Sequence, residues 1–89
     1  STIFNAIGCR VQVEKMLATG RIDLVVTTIH YIYVIELKLS QNGGISAAEK
    51  QIIANNYLEP FKADKRKVVG LAIELEDMGK GLLDWKVVE

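Results

Sequence analysis

Two apolar runs constrain this chain more than anything else in it: Gly20-Arg21-Ile22-Asp23-Leu24-Val25-Val26 and Tyr33-Val34-Ile35-Glu36-Leu37-Lys38-Leu39. Both are rich in Val, Ile and Tyr, as buried strands are. Both also carry charge where a buried strand should carry none. An ionised group in an apolar setting is costly unless it is paired or bound to a metal, so Asp23, Glu36 and Lys38 demand an explanation. Side chains two apart on a strand share a face. Glu36 and Lys38 therefore point the same way, as do Arg21 and Asp23. Ile29-His30 falls between the runs and reads as the connection of a hairpin, in which register can set Asp23 beside Glu36.

The rest of the chain supplies a framework for that hairpin. Cys9, Val11 and Val13 alternate with Arg10, Gln12 and Glu14, so Gly8 to Met16 reads as a first strand, with Thr19-Gly20 as a turn. Arg21 to Thr28 and Tyr31 to Leu39 are the second and third strands. Ser40-Gln41-Asn42-Gly43-Gly44 is a loop. Ser46 with Glu49 three residues on forms a capping-box pattern, which predicts a helix from about Ala47 to Tyr57 with Ala48, Ile52 and Ile45 toward the core. Pro60 bars its continuation. Lys67 to Ile73 reads as a fourth strand, and Leu83 to Val88, with Trp85 as a core anchor, as a last edge strand. The expected fold is α/β, a mixed sheet in the order β-β-β-α-β-β.

At 89 residues this is one domain or a piece of one. Hydrophobic residues make up 49% and charged residues 25%, which fits a cored protein and excludes disorder. A formal net charge of zero argues against nonspecific attraction of the whole molecule to nucleic acid, leaving local basic faces to be found. Cys9 is the only cysteine, so no intramolecular disulfide can form, and a reducing, cytoplasmic setting fits. No apolar run approaches the roughly 20 residues of a membrane span, and the N-terminus has no signal-peptide pattern. The chain also lacks a starting Met, as a trimmed piece or C-terminal domain of a longer protein would.

Two carboxylates a few ångströms apart repel, and a cation between them resolves the conflict. Hard oxygen ligands select Mg²⁺ or Mn²⁺. Such an ion polarises a phosphoryl oxygen and lowers the pKa of a bound water, and Lys38 is placed to position that water or to stabilise the charge that develops on phosphorus.

Asp23 followed thirteen residues later by Glu36-Leu37-Lys38 resembles the PD-(D/E)XK nuclease superfamily, with Ile22 in place of the proline. Gly20-Arg21-Ile22-Asp23-Leu24-Val25, Glu36-Leu37-Lys38-Leu39, Ala48-Glu49-Lys50-Gln51-Ile52, Tyr57-Leu58-Glu59-Pro60-Phe61 and Arg66-Lys67-Val68-Val69 resemble, in order, its bacterial subfamily that follows an AAA-ATPase-like domain. The resemblance spans nearly the whole chain. It implies a restriction-endonuclease-like core over residues 1–89, with Asp23 and Glu36 as metal ligands, Lys38 as a catalytic residue and Gln51 near the active site. It also implies Glu14 as a further ligand or water holder. The implied cofactor is Mg²⁺ or Mn²⁺, and the implied partner is nucleic acid, DNA above all. Such domains usually carry a helix before the first strand, and almost nothing precedes Gly8 here. One sheet face is therefore expected to be uncovered, which favours a homodimer or packing on an ATPase-like domain.

Plain alternatives stand beside these readings. Asp23 can be a strand-end acid paired with Arg21 or Lys38, and Glu36 and Lys38 the polar positions of a half-solvated strand. Gln51 can lie on a solvated helix face. Tyr57 reads as packing, His30 as a turn residue, Cys9 as a small buried apolar group, and Lys62, Lys65, Arg66 and Lys67 as a solvated basic loop. Gly43-Gly44 lacks the Lys-Ser/Thr of a phosphate loop. The functional alternatives are a noncatalytic nuclease-fold module and a structural oligomerisation domain.

Overall fold

The computed structural model describes residues 3–6, 8–78 and 81–89, the first four by their backbone. Six strands form a single sheet: β1 (Ile3–Ala6), β2 (Cys9–Leu17), β3 (Gly20–Thr28), β4 (Tyr31–Leu39), β5 (Lys67–Leu75) and β6 (Leu82–Val88), lying side by side in chain order. Among the described strands only the β4–β5 pair is parallel, and it is bridged by the crossover that holds α1 (Gly44–Ala54). The expected β-β-β-α-β-β order is present, and β1, hydrogen-bonded to β2, adds a short strand that the sequence pattern did not signal. Among the described residues no helix is long and apolar enough to cross a membrane.

The β3–β4 hairpin turns at Ile29-His30, where the Thr28 hydroxyl accepts the Tyr31 N–H at 3.0 Å. Its ladder runs from Thr27↔Ile32 to Leu24↔Ile35 and then stops. Beyond that point Ile22 is fully buried in the same cluster as Val25, although a spacing of three puts side chains on opposite faces of a regular strand. The irregularity is shared with β2. Pairing there skips from Val13↔Leu24 to Lys15↔Ile22, and Glu14 adopts a φ of 55°. The register is the same on both sides of the gap, so the missing rung is the one between Glu14 and Asp23.

Helix α1 begins earlier than the capping-box pattern predicts. Gly43 takes the N-cap position, and no side chain caps it from within the segment. The cap comes from β5: the Glu74 carboxylate accepts the Ile45 N–H at 3.1 Å and the Ser40 hydroxyl at 2.5 Å. A Cβ on Gly44 would come within 2.6 Å of that carboxylate, so the first helical residue is bound to be glycine. Glu49, freed from capping, pairs with Lys86 of β6 at 3.0 Å. The helix ends three residues before Tyr57 in a Schellman motif: Tyr57 N–H bonds to Ile52 O and Asn56 N–H to Ile53 O, with Asn56 at φ 52°. That turn delivers Tyr57 back beneath the helix, where it is fully buried against Ile52.

The core lies between α1 and one face of the sheet. Val34, Ala72, Val88 and Val25 of the strands meet Ala48, Ile52 and Tyr57. The opposite face carries a second apolar set. By register, Leu71↔Val87, Ile73↔Trp85, Ile35↔Leu71 and Leu24↔Ile35 point away from the helix. No described element packs over it. Trp85 is 58% exposed, so it is not the core anchor expected; it stands on the outer face of an edge strand.

Candidate active site

Where β3 and β4 part, Asp23 takes the place of the missing ladder bond. Its Oδ2 accepts the Leu37 N–H at 2.9 Å. The fork therefore holds the carboxylate in the plane of the sheet, beside Glu36 on the neighbouring strand. Glu36 is 2% exposed, and its Oε1 is buried without a hydrogen-bond partner. Burial first, and the facing Asp23 charge second, push its carboxyl up from 4.5 to about 7, with Lys38 pulling the other way. Among the described residues Lys38 makes no ion pair.

Asp23, Glu36, Lys38 and Gln51 all line one cleft of about 610 Å³, which Arg21, Asn55 and Tyr57 line as well. Three of the four come from the strand fork and one from α1. Gln51 is held by its amide, whose Nε2 donates to the Tyr57 hydroxyl at 3.1 Å. Asn55 Nδ2 donates to the same oxygen at 3.2 Å, and the hydroxyl donates to Arg21 O at 3.1 Å. One buried hydroxyl thus ties α1 to the backbone two residues before Asp23. Sequence reasoning took Tyr57 as packing alone. The available signal was Gly20, because a Cβ there would come within 2.6 Å of the Tyr57 oxygen.

Glu14 is exposed on β2 and lines a hollow of about 400 Å³ that it shares with Asp23 and Lys38. Among the described residues no three acidic, His or Cys side chains come together as a metal cluster. His30 is at the hairpin turn, and Lys62, Lys65, Arg66 and Lys67 are exposed, as expected of a solvated loop.

The Asp23–Glu36 pair suits a divalent cation. Asp23 keeps one oxygen clear of its bond to Leu37, Glu36 has an unpartnered buried oxygen, and like charges face one another. A hard cation at the fork would satisfy both oxygens and remove the repulsion.

A family model described as PD-(D/E)XK nuclease superfamily matches residues 1–85. The chain belongs to the PD-(D/E)XK nuclease superfamily. Neither the curated proteins nor the solved structures contain a match. Membership accords with a mixed sheet and single helix of restriction-endonuclease-like type, and with nuclease-type function on nucleic acid. PD-(D/E)XK nucleases generally use divalent metals, in keeping with the donor set at the fork.

Proposed function

We propose that this PD-(D/E)XK domain hydrolyses DNA phosphodiester bonds with Mg²⁺ or Mn²⁺ held by Asp23 and Glu36. The observation that carries the reading is the partnerless buried oxygen of Glu36, set between the Asp23 carboxylate and the Lys38 ammonium in an open cleft. A bound divalent cation supplies Lewis acidity to a phosphoryl oxygen and eases deprotonation of water. The chain's own groups do the rest. Lys38 neutralises charge that grows on the phosphate as the bond order changes. Asp23, fixed by the Leu37 amide, cannot swing away from the reacting centre. Gln51, its amide nitrogen committed to Tyr57, offers its carbonyl oxygen to orient the attacking water.

The test is Mg²⁺- or Mn²⁺-dependent cleavage of DNA by the chain, and by any longer protein that contains it. Asp23→Asn and Lys38→Ala, each shown to be folded, should lose activity by at least about 100-fold, the usual scale for a group acting on transition-state charge. Cleavage that persists in chelator, or in those variants, would refute the assignment.

A noncatalytic nuclease-fold module is the second reading: among the described residues no three acidic, His or Cys side chains gather as a metal cluster, and two carboxylates hold a cation less tightly than three. Binding without turnover is its signature. We further infer that residues 1–89 act as one domain, in the cytoplasm, and that the apolar sheet face opposite α1 is covered by a second copy or, in a longer chain, by an ATPase-like domain.

A further inference from the structure

A further hollow, of about 290 Å³, opens on the helix side of the sheet. Its floor is apolar, with Val25 and Phe61. Its rim is basic, with Arg10 and Lys15 from β2 and Arg66 from the loop before β5. The rim has one acid, Asp64, and that acid is committed to Arg66 at 3.1 Å. Among the described residues Arg10 and Lys15 form no ion pair. In a chain of zero net charge, two unpaired cations along one strand are a local excess.

The placement relative to the fork gives this excess a purpose. Lys15 lies opposite Ile22, the neighbour of Asp23, and Arg10 lies opposite Thr27. Five residues of strand separate the two cations, roughly 16 Å. Val25 in the floor is two residues, roughly 7 Å, from Asp23 along the same strand. The hollow therefore begins about where the cleft ends, on the same side of the sheet. Gln12 lies between the two cations and adds a polar side chain to the wall.

We propose that this hollow grips the sugar–phosphate backbone of the substrate strand next to the scissile phosphate, with Arg10 and Lys15 as the phosphate-binding groups. The proposal rests on the reading of the fork as a phosphodiesterase site. It adds the direction of the strand: along β2 from Lys15 to Arg10, toward the β3–β4 turn. Cations fix the register of a bound strand without reading its sequence. The apolar floor with the Phe61 ring suits a sugar or a base face lifted from its stack, so a single strand is the fitting form.

The test is binding of a single-stranded oligodeoxynucleotide in chelator, measured by fluorescence anisotropy between about 50 and 200 mM salt. Removing one cation that neutralises a phosphate of a single strand lowers the slope of log K against log salt by about 0.7. The Arg10→Gln/Lys15→Gln variant should lose about 1.4 of that slope and at least roughly tenfold in affinity, while the rise in melting temperature caused by Mn²⁺ is unchanged. If the double variant fails to fold, Arg10→Gln alone should lose about 0.7. Unaltered slope and affinity in the folded variant, or no affinity in the wild-type chain, overturns the proposal. A reduced slope in a chain that never cleaves upholds the groove and removes the nuclease reading. Cleavage with an unaltered slope does the reverse.

Discussion

At the scale of single residues, Glu36 has the clearest consequence. The unfolded chain releases this proton near 4.5, whereas the folded chain holds it until about pH 7. Between those values the folded state binds more protons, so stability falls as pH rises through the window and levels off above it. For a shift of this size the loss is about 3 kcal/mol. Metal-free Glu36→Gln should therefore show a flat pH profile for this contribution and melt higher than wild type at about pH 8. The same variant should lose most of the melting-temperature rise that Mn²⁺ gives to wild type. A wild-type profile that gains stability from pH 5 to 7 through this group would contradict the burial argument. The spacing of Asp23, Glu36 and Lys38 in two apolar strands was enough to find these groups, because period-two patterning makes a misplaced charge visible. The backbone at Glu14 was not visible, since a positive φ at a glutamate leaves no mark in the sequence.

At the scale of elements, the site depends on how α1 is seated. Its N-terminus is fixed by Glu74, whose carboxyl is held below its usual range by the Ser40 hydroxyl and then by the Ile45 N–H. Glu74→Ala should lower the melting temperature, with the difference from wild type shrinking as pH falls and Glu74 becomes protonated in both states. That cap is contributed from 29 residues away in the chain, which is why the local Ser46-Glu49 pattern pointed to a later start. The C-terminal end was more legible in principle, since Asn56 can occupy the left-handed position of a Schellman turn. Tyr57→Phe keeps the ring and removes the hydroxyl, stranding Gln51, Asn55 and Arg21 O together. It should cost about 2 kcal/mol of stability by thermal or denaturant melting, the scale for polar groups left unpaired. If cleavage is established, kcat should fall with KM little changed, because the released Gln51 amide no longer presents a fixed face to the cleft.

For the molecule as a whole, the layering is unequal. The helix shields one face, and the other leaves Val87, Trp85 and Leu83 more than half exposed along β6. Exposed apolar surface on this scale marks an interface in most folded proteins. The chain should sediment as a dimer or larger species with rising concentration, and Trp85→Glu should shift it toward monomer while leaving the melting temperature within about 1 kcal/mol equivalent, as for a surface change. Strand order and the β4–β5 crossover were legible from the alternation of apolar strands with one helical segment. Which face stays bare was not, because both faces of β3, β4 and β5 read as equally apolar.

One amide in the middle of the sheet answers to a side chain instead of a neighbouring strand: that of Leu37. Its chemical shift and its exchange with deuterium thus act as an internal gauge of the Asp23 carboxylate. Titrating Mn²⁺'s diamagnetic counterpart Mg²⁺ into isotope-labelled chain should move this resonance more than those of Leu24 or Ile35, which sit on ordinary ladder rungs, so the backbone itself reports when the fork is engaged.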